Sequence, residues 1–335
     1  MEIRVSAEFA VPADSIWQLL ADFGNIRGWW PDDGPIRIED VQVPPFLPDT
    51  PAVRSDLLDY CAEIERFDSE VGAMLKLLEE AGQLDNTLVV LTSDNGFPFA
   101  RGKATCYDAG TRMPLAVRWP ARVKAGRALE DFVSLTDLAP TFLEAAGLQP
   151  LAEMTGHSLL SLLTTGKSGK ATPTRDKAFF GRERHANVRA GNLGYPIRAV
   201  RTADFLYLRN FEPDRWPTGD PPLFGDLDEH LSIDGSPSKQ AVVEHGNIPE
   251  VKRLFELACG KRPAEELYDL SKDPWQMINV AADPQYFDRK TKLRAELDRH
   301  LAETKDPRAA GKGAEFDHYY YVSGDAAPKP VEKTR

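Results

Sequence analysis

Asp94 and Asn95 sit side by side in Thr92-Ser93-Asp94-Asn95-Gly96, at the end of the apolar run Leu88-Val89-Val90-Leu91. A carboxylate and an amide on a glycine turn offer oxygen ligands to a hard divalent cation such as calcium. Lys103, nine positions after Asp94, can then reach an anion bound to that metal. The carboxyl edge of a buried strand is also where open α/β sheets place their ligands. The same residues read, too, as a plain strand ending in an Asx turn.

Positioning such a turn takes a helix and a strand before it. Residues 49–81 predict a long helix, with Thr50 as N-cap, Pro51 in the first turn and Gly82 as the stop. Leu57, Ile64, Phe67, Val71, Leu75 and Leu78 form its apolar stripe. Residues 86–92 predict a strand buried on both faces in a parallel sheet. Pro114 to Trp119 reads as another strand, and Leu135 to Ala146 as a helix stopped by Gly147. The stretch from Thr164 to Arg175 is polar and loop-rich. Residues 178–181, 197–200 and 205–208 predict strands of a small antiparallel sheet. Residues 212–246, rich in Pro, Gly and Asp, predict a long loop, and 289–303 a closing helix.

The turn is followed, in order, by Tyr107-Asp108-Ala109-Gly110-Thr111-Arg112-Met113-Pro114, Val117-Arg118-Trp119-Pro120, Ser134-Leu135-Thr136-Asp137, Thr155-Gly156-His157 and Glu266-Leu267-Tyr268-Asp269. This ordered set, from about Val43 to about Tyr321, resembles the C-terminal half of the sulfatase family of the alkaline-phosphatase-like superfamily. The short Asn-Gly-Phe-Pro-Phe turn is most similar to the sulfamidase branch. The resemblance implies an α/β fold class: an incomplete alkaline-phosphatase-like mixed sheet flanked by helices, with a smaller C-terminal α+β subdomain. It implies hydrolysis of sulfate esters or sulfamates on sulfated sugars through formylglycine and calcium. It assigns Asp94 and Asn95 to the metal, as part of a calcium site, and Lys103 to the sulfate. It also places His185, within the Arg-rich segment Gly181-Arg182-Glu183-Arg184-His185, near the substrate mouth.

The attacking group of such a site is not found. Cys61, Cys106 and Cys259 are the three cysteines, and none precedes x-Pro-x-Arg. Ala171-Thr172-Pro173-Thr174-Arg175 has alanine where the nucleophile belongs, and it lies downstream of the metal turn. Asp32-Asp33 mimics the family's N-terminal aspartate pair but stands between Trp-Trp-Pro and Gly, a surface-turn context. No catalytic residue is therefore assigned. The expected protein is inactive alone, being either a ligand- or partner-binding remnant or one half of a split sulfatase.

The first forty residues read differently. A strand pattern at 2–9, Pro12-Ala13-Asp14 opening a short helix, and Trp29-Trp30-Pro31 resemble the start of a polyketide-cyclase or START-like helix-grip domain. The layout expected is residues 1–40 as that fragment, 41–165 as the downstream part of a sulfatase core, and 166–335 as its C-terminal subdomain and tail. A gene fusion or truncation would produce such a seam.

Composition bounds the partners. With 52 acidic against 41 basic residues and no basic run, nucleic-acid binding is not expected. No stretch approaches the roughly 18 to 20 apolar residues of a membrane span. Met1-Glu2-Ile3-Arg4 is not a secretory leader, so a cytoplasmic location is expected for the chain as encoded, although full-length sulfatases are often exported. Oligomeric state is not readable.

Overall fold

The computed structural model describes residues 38–227 and 236–319 of the 335-residue chain. The START-like segment expected at 1–40 lies almost wholly outside them, as does Asp32-Asp33. The chain divides into two compact units, one formed by residues 1–42, 54–94 and 112–178, the other by 43–53, 95–111 and 179–335.

In the first unit the expected long helix is α1, Pro51–Glu80, which enters the unit at Arg54. Gly82, at φ +64°, takes the left-handed turn that ends it. Strand β1, Val89–Thr92, delivers the Asp94 turn as the apolar run predicts. Its pairing is different from the parallel one expected: β1 runs antiparallel to β2, Leu115–Arg118, with Thr92 opposite Leu115 and Val89 opposite Arg118. Nor is it buried on both faces. Leu91 is buried with Val71 of α1, packed by Leu75 and Ala116, whereas Val89, Val90 and Thr92 are half-buried. An unbroken apolar run reports a demand for cover, but strand direction is set by whichever partner the connection allows. Here that partner is the strand that follows.

Asp137 organises the rest of this unit. Its carboxylate accepts from the backbone of Ser134 at 3.1 Å and of His157 at 2.7 Å, and from the Arg175 guanidinium at 2.8 Å. The Ser134–Asp137 capping box starts a single 3₁₀ turn that runs into α3, Leu138–Ala145. (Helix α2 is the short Asp108–Thr111 turn of the other unit.) Gly147, at φ +75°, ends α3 as expected. Helix α4, Leu160–Thr164, buries Leu162 and Leu163 with Leu159 against Val117, Leu129 and Leu138. Arg175, in the Ala-Thr-Pro-Thr-Arg segment, is thus a structural residue, and it also donates to the carbonyls of His157 and Ser158.

The second unit is built on the sheet β3-β4-β5-β6, Lys177–Arg182, Ile197–Thr202, Phe205–Asn210 and Glu265–Asp269. The β4–β5 pair is antiparallel, as the hairpin pattern predicts, and β6, not read as a strand in the sequence, adds antiparallel to β5. Alternation sorts its side chains into two cores. Ile197, Ala199, Leu206 and Leu208 meet Cys106, Tyr107, Tyr195 and Tyr268 on one side. Val200, Tyr207 and Leu267 meet Leu293, Leu297 and Leu301 of the closing helix, Phe287–Glu303, on the other. The stretch expected as one long loop contains helix α5, Pro237–Val243, which Ser236 caps by accepting from Lys239 N–H at 3.2 Å. Helix α6, Pro249–Cys259, follows, and Phe287–Glu303 is α7. A Ser-Pro start signal embedded in turn-forming residues explains the difference.

Candidate functional site

Lys103 stands on a turn whose shape is fixed by close backbone approach. A Cβ on Gly96 would meet the Ala109 carbonyl oxygen at 2.3 Å and the Gly110 Cα at 2.5 Å. A Cβ on Gly110 would meet the Gly102 carbonyl oxygen at 2.5 Å. Three glycines in the sequence pattern are therefore one packed unit. Within it Lys103 N–H donates to the Phe97 carbonyl at 2.8 Å. The two residues at φ +64°, Arg101 and Ala104, flank the Gly102-Lys103 step. Holding non-glycine residues there costs on the order of 1–3 kcal/mol each, and such backbone concentrates at functional sites.

Arg101 supplies the restraint. Its buried guanidinium donates to the Leu257 carbonyl at 2.9 Å and to that of Gln276, and stacks on the Tyr107 ring at 3.8 Å. Arg101 is therefore a structural arginine. Replacing Gly96 with alanine forces backbone apart and should destabilise the fold by about 1–3 kcal/mol. A chemical-denaturation curve coincident with the parent's would contradict this packing.

His185 lies just past the end of β3, in the same unit as Lys103. Its Nδ1 is 3.3 Å from Oδ1 of Asp226, a carboxylate only 2% exposed. The other oxygen of Asp226 accepts from Arg189 Nη2 at 2.7 Å and lies 3.7 Å from Arg182 Nη1. Burial works to raise the Asp226 pKa, but the His185 hydrogen bond and the Arg182 and Arg189 charges outweigh it and hold the group below its ordinary value. Arg189 is pulled down by burial, with Asp226 opposing and Arg182 adding to the fall. Both guanidiniums face the ring of Tyr195, at 5.5 and 5.7 Å.

The loop bearing Asp226 is seated by Gly219, at φ +97°, where a Cβ would strike Val188 at 2.9 Å. Arg182 completes the link: its Nη1 donates to the carbonyl of Ala104, the residue after Lys103, and its Nη2 to that of Pro217 at 2.8 Å. Lys103 and His185 are thus joined through Arg182 and Asp226. Arg182, Arg189 and Asp226 are neighbours of Lys103 and His185 that the sequence alone does not single out. The Arg-rich context of His185 is a signal for the first two. Asp226 carries none.

The metal assignment has less under it. Asp94 is exposed at the end of the first unit, and Asn95 opens the second, where its Nδ2 donates to the Gly96 carbonyl at 3.0 Å. Among the described residues no group of three or more His, Cys, Asp or Glu side chains could hold a metal ion. Calcium takes about six to eight oxygens, so the donors present do not make up a calcium site. The cysteines offer no activated thiol. Burial pushes Cys61 and Cys106 up to about 11 and Cys259 to about 12. Among the described residues no helix is long and apolar enough to cross a membrane.

Comparison with known proteins shows the family and the fold. The Sulfatase family model matches residues 24–148, starting inside the 1–40 segment expected to be START-like, and the model for the C-terminal region of N-sulphoglucosamine sulphohydrolase matches residues 101–244. Human N-sulphoglucosamine sulphohydrolase is 33% identical over 303 residues, covering 85% of this chain and 55% of that protein. An ulvan-active sulfatase of Formosa agariphila is 30% identical over 277 residues, covering 79% and 41%. The chain thus spans about half the length of these relatives. The sulfatase-family protein yidJ of Bacteroides fragilis superposes with a TM-score of 0.56 at 21% identity, covering 89% of this chain and 54% of that one. A protein solved with its substrate D-glucosamine-2-N,6-O-disulfate gives 0.50 at 24% identity, covering 71% and 39%. At these identities the structural likeness establishes the fold: α/β, alkaline-phosphatase-like and partial.

Proposed function

The chain belongs to the sulfatase family and is sulfamidase-like, and on that premise we propose that it carries the substrate-recognition part of a sulfate-ester or sulfamate hydrolase acting on sulfated sugars. The observation that carries this reading is the junction of the Lys103 turn with the His185 loop through Arg182 and Asp226. Lys103 meets the sulfate as a point charge, and His185 contacts the sugar beside it. Asp94 and Asn95 do not by themselves make up a calcium site, so no step is routed through a metal. No bond-making step is assigned to any residue here, because no cysteine stands in a Cys-x-Pro-x-Arg setting. The polypeptide of these 335 residues is a binder of sulfated sugars and not a hydrolase by itself.

A second reading, one half of a split sulfatase, draws on the half-buried Val89 and Val90 of β1 and the exposed Phe67, Met74 and Leu77 of α1. Turnover of a sulfated sugar on mixing with a chain that bears the formylglycine half would favour it. The principal reading is tested at Lys103. Losing a hydrogen bond to a charged group costs about 1.5–3 kcal/mol. Lys103→Ala should therefore weaken N-sulphoglucosamine binding by about tenfold or more in calorimetric titration, with unfolding unchanged. An equal affinity in parent and variant would remove Lys103 from the pocket.

A further inference from the structure

Resting on the reading that Lys103 and His185 contact the sugar, we propose that Asp226 and Arg182 are positioning residues. They form a buried clasp that fixes the Lys103 turn and the His185 loop at one spacing and keeps the His185 ring proton on Nδ1. Arg182 ends β3, and its planar guanidinium serves two places at once. It donates to the Ala104 carbonyl in the turn and to the Pro217 carbonyl in the loop that carries Asp226. Lysine, a single point of charge, cannot hold that fork. Asp226 divides its two oxygens in the same manner, one toward His185 Nδ1 at 3.3 Å and the other on Arg189 at 2.7 Å.

Neutralising this carboxylate needs no histidine, since two guanidiniums already flank it. Buried ion pairs replaced by well-packed apolar groups are often neutral in stability or better. What the ionic version adds is geometry. A carboxylate oxygen only accepts, so in the neutral imidazole the proton it faces must sit on Nδ1.

An amide at this position reverses the arrangement. In Asp226→Asn the Arg189 donor can face only the amide oxygen, which turns the NH₂ toward His185. Nδ1 must then accept, and the ring proton moves to Nε2. Long-range ¹H–¹⁵N spectra of the histidine-labelled 335-residue protein read this directly at about pH 8.5, above the ordinary histidine range. The expected result is an Nδ1–H tautomer for His185 in the parent and Nε2–H in Asp226→Asn. Titration with N-sulphoglucosamine should show about tenfold weaker binding for both Asp226→Asn and Arg182→Lys, the equivalent of one charged hydrogen bond.

An Nε2–H tautomer in the parent overturns the proposal, and this measurement stands even if the asparagine variant does not fold. A folded Asp226→Asn protein with the parent tautomer overturns it equally. Expected tautomers in a parent protein that does not bind N-sulphoglucosamine would uphold the clasp and defeat the sugar-binding reading, so the two fail separately.

Discussion

Purified as the 335-residue polypeptide and supplied with calcium, the protein is expected to release no sulfate from N-sulphoglucosamine or an aryl sulfate above the uncatalysed rate. Two physical arguments converge on this. Loss of a catalytic nucleophile costs on the order of a million-fold in rate, because nucleophile and charge stabilisation act as a unit. The cysteines do not substitute: burial holds Cys106 up to about 11 and Cys259 to about 12, and burial with Glu65 does the same to Cys61. A thiol in that state is a poor nucleophile at neutral pH. Mass spectrometry of tryptic peptides should find all three as ordinary cysteine. Calcium-dependent turnover that tracks the protein through purification would overturn the assignment of a binding role.

The second large effect is expected at Asp226. Removing its carboxylate in Asp226→Ala strips Arg182 and Arg189, both nearly inaccessible, of the carboxylate they share and leaves Arg189 only the weaker influence of Asp220. Breaking a buried pair by deleting one partner costs about 3–5 kcal/mol, much of a typical domain's total stability of about 5–15 kcal/mol. A pH dependence follows with a definite sign. Asp226 is held below its ordinary value of 3.8 in the folded state. Its contribution is therefore complete above that value and is lost as the pH falls through the lower, folded one. Urea melts should thus show a parent–variant gap that is constant near neutrality and closes only below about pH 4. A gap that shrinks between pH 8 and pH 5 would point to a different titrating group.

Local signals make the scaffold legible. Thr50-Pro51 and Gly82 bracket α1 to within a residue or two, Gly147 marks the end of α3, and the 197–210 alternation becomes the β4–β5 hairpin. What escapes the sequence is decided at a distance. The apolar run of β1 fixes a strand but not its neighbour, and the antiparallel partner arrives only at Leu115. Strand β6 stands out in the sequence as a motif and not as a strand, because its place is made by pairing with β5 across some sixty positions.

The site divides in the same way. Gly96, Lys103 and Gly110 announce a tight turn, although nothing in the local pattern says that Arg101 anchors it from the α6 and Gln276 carbonyls. Asp226 sits among Pro, Gly and Asp residues that read as solvent-facing loop. Only the fold reveals it as a buried carboxylate beneath His185 and two arginines. Buried charge in a loop has no periodicity to betray it.

Calorimetric titration of the purified protein with N-sulphoglucosamine, run against unsulfated glucosamine, tests the central claim most directly. Saturable binding of the sulfated sugar alone, weakened about tenfold or more by Lys103→Ala, is the predicted result. Equal binding of both sugars, or of neither, would contradict a sulfate-recognising pocket on this chain.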